Sequence, residues 1–168
     1  MKNLTPKGMK TLKMFHLLFV MMWTIGVIMM GILYWRPSGN SLEFLYNQST
    51  ALYVDYTLVI PGAILTVITG IIYGVKTKWG FFKYRWLTVK WIIGIAIIVI
   101  GTCWLHPMAV DIINLATPNA SEAIVFPMDY FGSALNISKI MALVQGAALI
   151  FLIWVSVFKP WNKTINRL

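Results

Sequence analysis

Four apolar runs, each about 20 residues long, constrain this chain more than anything else in it. The first reads HLLFVMMWTIGVIMMGILYWRP, from His16 to Pro37. At about 1.5 Å per residue, such a run matches a hydrocarbon core about 30 Å thick. In lipid, a helix is the one way a single segment satisfies all its backbone donors and acceptors. The runs cover about residues 14–35, 56–75, 87–105 and 137–158. They predict an all-α integral membrane protein, an antiparallel four-helix bundle forming one four-span domain over residues 1–168. Composition agrees. Of 168 residues, 59% are hydrophobic and 11% charged, against about a quarter charged in a soluble domain.

The basic start MKNLTPKGMKTLK leads into the first run with no small-residue cleavage site after it, so the run reads as a retained span. A net charge of +9 would point to nucleic acid in a soluble protein. The placement of the charges excludes that reading. Twelve of the 14 Lys and Arg fall at one end of the predicted spans, and only Arg36 and Lys139 at the other. All five acids, Glu43, Asp55, Asp111, Glu122 and Asp129, fall opposite the basic end. The positive-inside rule then predicts both termini in the cytoplasm, in a bacterial-type inner membrane. The basic rim would meet anionic lipid, so the expected partner is the bilayer.

Between the first two runs, RPSGNSLEFLYNQST reads as a polar loop. The stretch 106–136 reads as a long outer loop whose start, PMAVDIINLA, could form a short amphipathic helix in the interface. The rest of that loop is either a connector resting on the bundle or a lid or partner surface. Pro61 and Gly62 interrupt the second run, so the helix either kinks there or begins there. Small and hydroxyl side chains form stripes at helical spacing: Gly62, Thr66, Thr69 and Tyr73; Lys90, Gly94 and Gly101; Ser138, Ala142, Gln145 and Ser156. Such stripes should face one another, and they are also compatible with a homo-oligomer.

The chain has no Walker loop, no HExxH and no zinc-type Cys/His spacing, which argues against phosphoryl transfer and zinc hydrolysis. What remains are two histidines and ten methionines. His16, Phe19, Trp23, Gly26 and Met30 share one helical face. A neutral imidazole inside a membrane is a good axial ligand for haem iron. On this reading Trp23 and Gly26 wall the pocket, and Lys90 at the same depth pairs with a propionate. The alternative is that His16 and Lys90 sit at the headgroup boundary and snorkel. His106 reads as a helix-end residue at the opposite interface, or as part of a soft copper site with Met108 and one of Met29, Met30 or Met128.

Two stretches carry a family resemblance. HLLFVMMWTIG spaces His16, Trp23 and Gly26. VIPGAILTVITGIIYGVKTKWGFFKYRWLTVKWIIG has a Pro-Gly opening, Gly70 near the end of the run, an aromatic basic loop and Lys90 opening the next run. Over roughly residues 12–105 this resembles the group of small bacterial membrane proteins that includes HemJ-type protoporphyrinogen oxidases, CopD-like copper-resistance domains and uncharacterised four-helix relatives. The resemblance implies that His16 binds haem b and that Lys90 partners haem or substrate. The run from Met30 to Pro37 departs from the HemJ-type pattern, and the second histidine of that pattern is absent.

The resulting expectation is a membrane b-type haem protein in electron transfer or redox chemistry on a lipophilic substrate, a quinone or a porphyrinogen-like molecule. The alternatives are a component that binds or transports copper or a small hydrophobic molecule, using His106 and Met108, and a structural partner in a membrane complex.

Overall fold

The computed structural model describes residues 4–77, 80–116 and 128–161. Among these residues it is all-helical. Four helical rods are long and apolar enough to cross a membrane: Pro6–Trp35, Leu42–Lys76, Arg85–Asn114 and Gly132–Phe158.

The first rod is α1 (Pro6–Trp35). Thr5 caps it by accepting from the Gly8 N–H at 3.2 Å, with Pro6 at the first turn, where its missing N–H costs nothing. The second rod comprises α2 (Ser41–Val54), a π-helical turn (Asp55–Val59) and α3 (Ile60–Lys76). The third comprises α4 (Arg85–Ile100), a second π-helical turn (Gly101–Leu105) and α5 (His106–Ala116). The fourth is α6 (Met128–Phe158).

Two connections therefore differ from expectation. Most of RPSGNSLEFLYNQST is not a loop. Asn40, the N-cap, accepts from Glu43 N–H at 2.8 Å, and Glu43 accepts from the N–H of Gly39, one residue before the cap, at 2.9 Å; this variant of a capping box starts α2. PMAVDIINLA is not a separate interfacial helix either; it continues the third rod as α5. The expected outer loop 106–136 thus shrinks from both sides, and residues 117–127 lie outside the described residues.

α1 is the central helix, packed chiefly between α3 and α6, while α4 packs against α6. Leu4 N–H donates to Lys76 O at 3.1 Å, joining the start of α1 to the end of α3. The core is Trp23, Val27, Ala63, Ile97, Leu149 and Leu152, one or two from each rod. Beyond the end of α1 a second cluster, Met108, Ile112 and Ala134 with Phe44, Leu105 and Ile137, holds α2, α5 and α6 together. Outward from these cores the surface is apolar: Ile25, Ile32, Ile92, Ile95, Leu143 and Ile150 are all exposed. Water would penalise such a belt, and lipid would not. Threonine and serine hydroxyls along the rods turn back onto the carbonyl four residues earlier, as Thr24, Thr102 and Ser156 do.

Candidate functional site

Both π-turns end the same way. The Ile60 N–H bonds five residues back to Asp55 O, and the next residue is Pro61. The His106 N–H bonds five residues back to Gly101 O, and the next residue is Pro107. Proline offers no N–H to the ladder. The extra residue re-aims the side chains around each turn. The consequence is a polar cluster between two apolar rods. His106 Nδ1 lies 2.8 Å from Asp55 Oδ2, and His106 Nε2 lies 3.2 Å from the Tyr56 hydroxyl. A carboxylate can only accept, so Nδ1 donates to Asp55. In the neutral ring, Nε2 accepts from Tyr56. Asp55 is buried and His106 half-buried.

This cluster sits at the mouth of a cleft of about 80 Å³ between all four rods. Its floor is apolar, with Trp23, Val27, Ala63 and Ile97; its polar wall adds Tyr34, Ser138 and Gln145. Sequence reasoning missed the cluster. It placed Asp55 just before the second run and His106 at a helix end, although the capping signal at Asn40 and the matched prolines were available to extend both rods.

The second polar position lies at the basic end. His16 faces inward: its Nδ1 is 2.7 Å from Thr69 Oγ1, its ring meets Tyr73 edge-on at 6.0 Å, and Trp91 and His16 both approach Gly70. The Thr69 hydroxyl proton goes to Leu65 O at 2.7 Å or Thr66 O at 3.0 Å. With that proton on a carbonyl, Thr69 accepts from His16 Nδ1, and in that tautomer Nε2 carries the ring's lone pair; the Thr66 carbonyl is a further hydrogen-bond partner of the imidazole. Lys90 is partly buried, near enough for its charge to act on His16, and has no acid within ion-pair reach among the described residues.

The other expected site residues go elsewhere. Trp23, 4% exposed, belongs to the core, and its backbone abuts Gly62. Gly26 gives no room to a macrocycle, because Val59 and Leu58 of the second rod fill the space where its side chain would be. His106 and Met108 do not converge. Residues two apart on a helix do not share a face, and Met108 is buried in the apolar cluster with Ile112 and Ala134 while both His106 nitrogens are engaged. Among the described residues no three His, Cys, Asp or Glu side chains cluster as a metal site. Met30 lines the cleft, Met29 is exposed, and the side chain of Met128 lies outside the described residues.

A haem at the basic end can be tested against these residues. They supply one imidazole nitrogen, already oriented from behind, and one unpaired cation. Gly70 and Gly94 bring no side chains, and the Cβ position of Gly94 meets nothing within 4 Å. This donor set fits a haem: His16 would hold its iron and Lys90 a propionate, and the group would supply one-electron redox chemistry there. No second axial histidine is at hand, since His106 shares the cleft with Tyr34, about 27 Å along α1 from His16. Comparison with protein-family models, with curated proteins and with solved structures returns no match, so function is argued from these residues.

Proposed function

We propose that this is a multi-pass inner-membrane protein of bacterial type, with both termini in the cytoplasm, that uses His16 to hold a b-type haem and acts in redox chemistry on a lipophilic substrate. The observation that carries the reading is the contact of His16 Nδ1 with Thr69 Oγ1, which holds the ring inside the bundle and, with the proton on Nδ1, would leave Nε2 to ligate. Lys90, with no acid within ion-pair reach among the described residues, would balance a propionate, and Gly94 leaves its helix face bare. A bound haem supplies reversible one-electron transfer. The chain itself contributes the orientation of the imidazole, the compensating charge and an apolar wall that excludes water. The orientation across the membrane rests on charge: Lys7, Lys10, Lys13, Lys76, Lys83, Arg85 and Lys159 gather at one end of the rods.

The test is an absorption spectrum of protein purified in detergent from haem-replete cells. A Soret band that disappears in His16→Ala is expected. Colourless wild-type protein overturns the haem reading. Orientation is tested separately in a Cys103→Ser background: Lys10→Cys should react with an impermeant maleimide only after the cells are opened, and Gly39→Cys should react in intact cells.

A further inference from the structure

The cleft at the opposite end has unmet hydrogen-bonding capacity that the His16 reading does not use. Gln145 is 91% buried on the relative scale on which it is 9% exposed, and its Nε2 has no partner. Tyr34, 7% exposed, makes no hydrogen bond through its hydroxyl among the described residues. Both line the cleft. Gln145 Nε2, a buried donor left unsatisfied, calls for a ligand or ordered water, and the Tyr34 hydroxyl offers a second donor to it.

The positions of the donors restrict what can satisfy them. Ala142 lies against Gly31, so Gln145, one turn further along α6, is level with about residue 28 of α1. Tyr34 is then about 9 Å further toward the cleft mouth. The floor and walls between them are apolar, and Trp23 supplies a flat aromatic surface. A volume of about 80 Å³ exceeds the about 10–15 Å³ that one water needs on the same measure. It suits a small planar head with an acceptor oxygen at each end. Thr102 on the wall is exposed, so the cleft reaches the surface of the bundle and an alkyl tail can leave through that opening.

We propose that this cleft is a binding site for the headgroup of a quinone, with one carbonyl oxygen accepting from Gln145 Nε2 and the opposite one from the Tyr34 hydroxyl. Asp55 and His106 line the cleft with Tyr34 and begin a hydrogen-bonded chain that continues outside it to Tyr56. The chain gives that carbonyl a polar surrounding that a purely apolar slot lacks. The Gly101 side of the slot stays narrow enough for Gln145 to approach, its Nε2 being 3.8 Å from the Cβ position of the glycine. The site stands on different residues from His16 and does not require haem.

Binding of a short-tailed naphthoquinone and a short-tailed benzoquinone to the full-length protein in lipid nanodiscs, measured by titration calorimetry, tests the proposal. Saturable one-to-one binding of at least one of them is expected. Gln145→Leu and Tyr34→Phe each remove one donor and nearly preserve volume, and each should weaken binding about tenfold. Thermal unfolding of each variant identifies any that fails to fold, and the other variant then carries the test. His16→Ala should leave quinone affinity unchanged while removing any Soret band, so the two proposals fail separately. Absence of binding to the wild type, with the cleft holding water only, overturns the proposal; so does wild-type affinity in the folded donor variants.

Discussion

At Gly62 a Cβ would lie 2.7 Å from the Trp23 nitrogen, and at Gly26 one would lie 2.7 Å from a Val59 methyl. These contacts set how closely the second rod approaches α1, and the Gly62 contact is to backbone, which cannot turn aside. Gly62→Ala should therefore destabilise the protein by about 1–3 kcal/mol, the usual cost of overpacking. Gly94→Ala, whose Cβ would meet nothing within 4 Å, should be neutral or stabilise by up to about 1 kcal/mol through helix propensity. Denaturant midpoints in a fixed detergent check the pair, and equal losses would contradict the packing described. At the same scale, Thr69→Val removes the hydrogen bond behind His16 and should lower haem retention about tenfold or more, as loss of an orienting partner does at other metal sites. Dialysis against a haem-scavenging protein measures it.

The elements that matter most are the two π-turns, because they turn Asp55 and His106 toward each other across two rods. Pro107→Ala restores an N–H and favours regular α-helix through the second turn. One residue of register rotates a helix by about 100°, which carries His106 away from Asp55. A double-mutant cycle with Asp55→Asn and His106→Ala should give a coupling of about 1 kcal/mol in an otherwise wild-type background, and close to zero with Pro107→Ala. An undiminished coupling would mean that the proline does not maintain the turn. The capping box at Asn40 acts at this scale too, by starting α2 early enough for Asp55 to fall inside a helix instead of a loop.

Across the whole molecule the usual relation between exposure and polarity is reversed, and substitutions should follow suit. Leu149, 2% exposed, and Ile150, 56% exposed, are neighbours on α6. Leu149→Ala should cost about 2–5 kcal/mol by opening a cavity, whereas Ile150→Ala exchanges one lipid contact for another and should stay within about 0.5 kcal/mol. Ile95→Lys places a charge on the exposed apolar side of α4, which in a membrane would cost insertion about 2.5–3.5 kcal/mol. It should deplete the membrane fraction, which a fractionation blot reads directly. The interfacial rings fit the same picture: the Lys139 ammonium lies over Trp35 at 5.7 Å at one end, and the Lys159 ammonium over Trp86 at 5.9 Å at the other.

The four rods and their segregated charge were legible from residue order, since apolar length and the position of lysines are properties of the chain itself. For His16 the residue order left two readings open, an inward face and the headgroup boundary, and the contact with Thr69 decides for the inward one. Which members of a stripe touch is another matter. Periodicity identifies a face, but the offset between two rods decides whether Gly26 meets a ligand or Val59, and that offset is set by side chains far apart in the chain. The Asp55–His106 pair lay furthest from view. It depends on two π-turns that shift register by one residue each, and a hydrophobic pattern averaged over whole turns does not register so small a shift.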